Sequence, residues 1–152
     1  MDKTFHIFTD GSSIGNPGPG GWAAVLLRGG KSWEMSGSSP WTTISEMELR
    51  AAAEALRSVP AGSVVELCSD SELLIHGMRF RVFRWQMQGW RNRRGIELQH
   101  QQLWTELLRL NEQLRIRWRW IRGHSGHPVQ TRADVLAYRE ARSQWGSLRM
   151  AA

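Results

Sequence analysis

The spacing of apolar positions changes repeatedly along the chain, and each change predicts an element. Phe5, Ile7 and Phe8 give a strand over residues 4–10 that ends on Asp10. Trp22 to Leu27 is a second apolar run, and Gly29-Gly30 is a hairpin signal leading into a third strand, Ser32 to Gly37. Pro40 to Thr43 reads as a connector. Period then shifts to that of a helix: from Ser45 on, Leu49, Ala52, Ala53, Leu56 and Val59 share one face, and Pro60 and Gly62 stop it. Val64 to Cys68 is a near-continuous apolar run, the pattern of a central strand covered on both faces. A helix from Ser71 through His76 follows, and Leu103, Trp104, Leu107, Leu108 and Leu110 fix a second long one. Arg115 to Trp120 alternates strictly and presents one basic face. After the loop Gly123-His124-Ser125-Gly126-His127-Pro128, a last helix runs from Val129 to about Ser143. Strands and helices in this order predict an α/β domain, a mixed sheet flanked by helices.

Two stretches lie outside these periods. Between Asp10 and Trp22, five glycines and two prolines form a loop able to bring backbone close to the Asp10 carboxylate. Between 79 and 94, six arginines (Arg79, Arg81, Arg84, Arg91, Arg93, Arg94) alternate with Phe80, Phe83, Trp85 and Trp90, without one acid. Arginines pair with phosphates and rings pack on sugars or bases; equally, such a segment is a solvated basic surface with its rings in the core. Residues 144–152 form a tail, for which packing through Trp145 and disorder both stay open.

Composition narrows the classes. At 152 residues the chain fits one domain with a substantial core. A net charge of +6 and nine tryptophans favour a polyanionic partner. A single cysteine, Cys68, excludes an intramolecular disulfide and suits a reducing compartment. No long apolar span is present, so a cytoplasmic protein without membrane contact is expected. The Gly-rich loop lacks the lysine of a phosphate-binding P-loop, and the histidines lack a zinc partner set.

The candidate chemistry lies in carboxylates. Asp10 and Asp70 end strands, Glu48 sits in the first turn of a helix, and Asp134 in the first turns of the last helix. Acids at strand ends and helix starts can converge on one crevice. Converging carboxylates repel unless a cation is bound or their pKa values rise, and hard oxygen ligands select Mg²⁺ or Mn²⁺. Each acid also has a plainer explanation: Glu48 as part of a Ser45-to-Glu48 capping box, Asp70 as a helix cap, Asp134 as an exposed helix acid, His124 as a surface histidine.

Thr9-Asp10-Gly11-Ser12 with Gly15-Asn16-Pro17-Gly18-Pro19-Gly20-Gly21, Met47-Glu48-Leu49-Arg50-Ala51-Ala52, Ser69-Asp70-Ser71, Gly123 to Pro128 and Ala133-Asp134 occur in an order that resembles bacterial ribonuclease HI, over residues about 4 to 140. The resemblance implies a ribonuclease H-like domain, residues 1–143, with a five-stranded mixed sheet and a basic protrusion at about 79–95. It implies a monomeric endonuclease cutting the RNA strand of RNA–DNA hybrids to 5′-phosphate and 3′-hydroxyl ends. Two Mg²⁺ ions, replaceable by Mn²⁺, would be held by Asp10, Glu48, Asp70 and Asp134, and His124 would assist proton transfer or product release. The resemblance assigns Ser12, Ser13, Gly15, Asn16, Thr43, Ser45 and Glu72 to the substrate's minor groove and phosphates, and Arg84, Trp85, Trp90 and Arg91 to the DNA strand. The chain departs from the family at Trp41, where arginine is frequent, and at Ile44, Ser45 and Glu72, where Asn or Gln is usual. His100 and Gln130 also replace common asparagines. Kept chemistry with altered hybrid affinity or selectivity is the expectation. The alternatives are a non-catalytic nucleic-acid-binding domain and a same-fold two-metal nuclease with another strand preference.

Overall fold

The computed structural model describes residues 2–151; Met1 and Ala152, the outer ends of the expected domain and tail, lie outside the described residues. Five strands form one sheet in the order β3-β2-β1-β4-β5. These are β1 (Phe5–Ser13), β2 (Gly18–Arg28), β3 (Lys31–Thr42), β4 (Val64–Ser69) and β5 (Arg115–Trp120). The first three are an antiparallel meander, whereas β4 joins β1, and β5 joins β4, in parallel. The helices are α1 (Ile44–Arg57), α2 (Glu72–His76), α3 (Val82–Met87), α4 (Gln101–Gln113) and α5 (Pro128–Ala151), with a widened π-helical turn, Gly77–Arg81, joining α2 to α3.

The main core lies between the sheet and helices α1, α2 and α4. Ile7, Val65 and Leu67 meet Leu49, Leu56, Leu74 and Leu107 there, all essentially inaccessible to solvent. α5 packs on the other face, against β1, β2 and β3. The face expected from periodicity is the buried one, through Leu49, Ala52, Ala53 and Leu56 of α1 and through Val59, which lies just past the end of the helix at Arg57.

The strands exceed their periodicity. β1 does not end at Asp10 but continues to Ser13, with Gly11, Ser12 and Ser13 opposite Trp22, Gly21 and Gly20. The glycines serve close packing: a Cβ on Gly11 would stand 2.5 Å from the Glu48 backbone nitrogen, so only glycine lets β1 pass under α1. β3 takes in the expected connector, and Pro40 is tolerated because β3 is an edge strand and the register shifts opposite it, between Gly18 and Gly20. α5 does not stop near Ser143. It continues to Ala151, with Gln144 accepting the Ser38 hydroxyl at 3.0 Å and the Arg142 and Arg149 guanidiniums 6.0 and 4.8 Å from the Trp145 ring centre. Gly146, which costs an isolated helix about 1 kcal/mol, is carried by these contacts.

Candidate active site

Two of the plainer readings of the acids fail on the local geometry. Thr43, not Ser45, caps α1: its hydroxyl accepts the Glu46 N–H at 3.2 Å, and the Thr42 hydroxyl donates to the Glu46 carboxylate at 2.7 Å. Glu46 therefore occupies the reciprocal position of a capping box, two residues before the Glu48 expected there. Glu48 is left on the buried face of α1, 7% exposed, accepting a backbone hydrogen bond from Gly11. Ser71 caps α2 through the Leu74 N–H at 3.2 Å, so the Asp70 side chain is free of that duty too.

The chain brings the acids together from four elements. Carboxylate oxygens of Asp10, from the middle of β1, Glu48, from α1, and Asp70, just past β4, lie within 4.8 Å of one another. Asp134 approaches from α5 and hydrogen-bonds to Asp10. Burial pushes the Asp10 carboxyl up to about 11, reinforced by the Asp134 hydrogen bond and by the charges of Glu48, Asp134 and Asp70. Glu48 is raised well above its ordinary value, by burial first and by Asp70 next. Asp70 is raised by burial and by Asp134, against the opposing charge of His124. Glu48 Oε2 and Asp134 Oδ1 are buried without a hydrogen-bond partner. Orphaned acceptors in a pocket of mutually repelling carboxylates fit a hard divalent cation, which takes oxygen ligands and removes the repulsion.

Neighbouring side chains fix these acids. The Trp120 indole donates to the Asp70 carbonyl at 3.1 Å, and a Cβ on Gly123 would stand 2.6 Å from Asp70 Oδ2. Gln130, buried at the start of α5, donates to the Thr9 carbonyl at 3.1 Å and so ties α5 to the strand that carries Asp10. The positioning part of Trp120 carries no signal in a chain read for titratable groups. Gly123 does carry one, as the residue between a strand and a candidate histidine. His124 is exposed, in a left-handed conformation (φ 56°), with its charge felt at Asp70.

The expected substrate residues form two groups. Ser12, Ser13, Gly15 and Asn16 adjoin Thr43 and Ser45, because the Asn16 side chain accepts the Ile44 N–H at 3.1 Å and joins the loop to the start of α1. Trp41 and Ile44 stand exposed beside them, 68% and 41%. Glu72 lies exposed in the first turn of α2. The second group is on the 79–95 segment, which is helical rather than irregular through Met87. Arg84 and Arg91 face solvent, Arg91 bonding the Gly95 carbonyl at 2.9 Å. The rings divide: Trp90 is buried in the core and Trp85 packs edge-on against Trp104 at 5.0 Å, so Trp90 anchors the protrusion and is not a presented stacking surface. Phe80 and Phe83 are the exposed aromatics there.

A five-stranded mixed sheet with helices on both faces and acids gathered over its central strands is the ribonuclease H-like fold. A solved structure, LC9-RNase H1, described as a type 1 RNase H with the type 2 active-site motif, superposes with a TM-score of 0.82 at 29% identity, covering 93% of this chain and 74% of that one. The family model RNase H matches residues 2–142, and the chain belongs to that family. It is 43% identical over 132 residues to the Ribonuclease H of Thiobacillus denitrificans, covering 87% of this chain and 89% of that protein. It is 41% identical over 137 residues to the Ribonuclease HI of Caulobacter vibrioides, covering 90% and 92%. LC11-RNase H1, solved in complex with an RNA/DNA hybrid, shares the fold with a TM-score of 0.68 at 22% identity.

Proposed function

We propose that this protein is an endonuclease that hydrolyses the RNA strand of RNA–DNA hybrids, with Asp10, Glu48, Asp70 and Asp134 as ligands of two Mg²⁺ ions and Mn²⁺ as a substitute. The observation that carries the reading is the convergence of three carboxylates within 4.8 Å, with orphaned oxygens on Glu48 and Asp134, in a chain of the RNase H family. Bound there, divalent cations supply Lewis acidity, lowering the pKa of an attacking water and offsetting charge on the leaving oxygen. The water oxygen bonds to phosphorus, the bond to the 3′-oxygen breaks, and the products are a 5′-phosphate and a 3′-hydroxyl. His124, on its exposed loop beside Asp70, takes or returns a proton during this exchange. Asn16, Ser12, Ser13, Gly15, Thr43, Ser45 and Glu72 border the minor groove, whose 2′-hydroxyls distinguish RNA from DNA. Arg84 and Arg91, held out by Trp85 and Trp90, pair with phosphates of the DNA strand. Four mutually repelling acids facing a polyanion would burden a protein that only binds, which favours the enzyme over the binding module.

One end-labelled RNA, presented as single strand, RNA duplex and RNA–DNA hybrid with Mg²⁺ or Mn²⁺, tests this. Cleavage confined to the hybrid, and reduced by about a thousandfold or more in Asp10→Asn, is expected. An intact hybrid with both metals overturns it.

A further inference from the structure

The ribonuclease reading leaves the basic face of β5 without a task. β5 is the last strand of the sheet, and among the described residues no strand pairs with its outer edge. A groove of about 530 Å³ runs along that edge, bounded by His76 and Arg79 on one side and by Arg117, Arg119 and Trp120 on the other. Arg117 and Arg119 are 79% and 57% exposed and share a single carboxylate, Glu66, at 3.8 and 3.4 Å, so positive charge remains in excess. Exposed rings stand at the groove: Trp120, 39% exposed, and Phe80 on the rim, 65% exposed, tilted against His76 at 5.9 Å with the Arg79 guanidinium 5.0 Å from its centre. The groove lies next to the acids, because Trp120, which lines it, donates its indole N–H to the Asp70 carbonyl.

Arginines for phosphates and exposed rings for bases are the chemistry of single-stranded nucleic-acid binding. We propose that this groove holds a single-stranded continuation of the hybrid, the unpaired DNA or RNA that extends past the duplex at the active site. The proposal rests on the ribonuclease reading for the position of the duplex, and it gives this chain a substrate preference: hybrids with a single-stranded extension over blunt ones. Base-independent stacking and phosphate pairing make the preference independent of sequence.

Two measurements on the full chain test it. Steady-state cleavage is compared between a blunt hybrid and hybrids carrying an eight-nucleotide extension on each strand and end in turn, by the wild type and by Arg117→Ala/Arg119→Ala. At least one extension is expected to lower KM about fivefold to tenfold, and the double variant to lose that advantage while cutting the blunt hybrid within about twofold of wild type. Separately, fluorescence anisotropy with a thymidine dodecamer in EDTA is expected to give binding weakened about tenfold by the double variant, with a salt slope smaller by about 1.4. Identical KM for blunt and extended hybrids, or an advantage that survives in the double variant, overturns the proposal. Displacement of the dodecamer by a glutamate octapeptide at similar concentration also overturns it, assigning the groove to acidic peptides. Failure to cut any hybrid defeats the ribonuclease reading instead, and the anisotropy arm, which needs no cleavage, still decides the groove.

Discussion

The acid pocket and the arginine-rich protrusion carry opposite charge and are held in opposite ways. Asp10 and Glu48 are buried, and their positions are over-determined by glycine close-packing, a backbone hydrogen bond and helix-to-strand ties. Their carboxyls are raised, by burial first and by neighbouring acids as well. The protrusion anchors in the core through Val82 and Trp90 fully and Trp85 in part, and exposes every arginine from 79 to 94. Charges that must sit within ångströms of a reacting phosphorus are immobilised despite the electrostatic penalty. Charges that only track a polyanion stay hydrated and adjustable, at little stability cost.

The largest effect is expected where a small change disturbs the immobilised acids. Gly123→Ala places a methyl against Asp70 Oδ2, and kcat is expected to fall about tenfold to a hundredfold with KM little changed, read by steady-state cleavage. On the adjustable side the effect is smaller and falls on binding. Arg84→Ala/Arg91→Ala is expected to raise KM about tenfold and to reduce the slope of binding against salt by about 2, with kcat kept. An equal loss of kcat would show that the protrusion positions the reacting phosphate as well.

The smallest effect concerns the raised carboxyls, and its sign follows from the direction of the shifts. Asp10 has a folded-state pKa of about 11 against 3.8 when unexposed to its neighbours, so the folded state binds a proton that the unfolded state releases above about pH 4. The contribution of Asp10 to stability in EDTA is therefore expected to be fullest below about pH 4 and to decline as pH rises through neutrality. Asp10→Asn should flatten this decline, melting about 3 °C higher than wild type at pH 8 in EDTA and equally at pH 4. Saturating Mg²⁺ should remove the advantage of the variant at pH 8 by stabilising the wild type.

Much of this was legible in the chain because the signals are local. Apolar period is set by the geometry of strand and helix, so the five strands, the buried face of α1 and the place of β4 inside the sheet, between β1 and β5, follow from spacing alone. Asp10, Glu48, Asp70 and Asp134 stood out through their places at strand ends and helix starts, within motifs resembling bacterial ribonuclease HI. Element ends were less legible, since the length of β1 and β3 depends on which glycines pass which neighbours, and α5 beyond Ser143 on Ser38 and the arginines around Trp145.

Other features belong to the tertiary structure alone. Whether Glu48 or Glu46 closes the cap, whether Trp90 faces a substrate or the core, and which residues pin Asp70 depend on contacts between segments far apart in sequence. Trp120 and Asp70 are 50 residues apart, and Gln130 and Thr9 are 121 apart. Read segment by segment, the chain shows which residue types could do metal-assisted phosphodiester chemistry and on which elements they lie. Only packing decided that oxygens of Asp10, Glu48 and Asp70 would meet within 4.8 Å in a site dry enough to raise the carboxyls of these three, because burial and mutual repulsion are properties of the assembled space and not of any one segment.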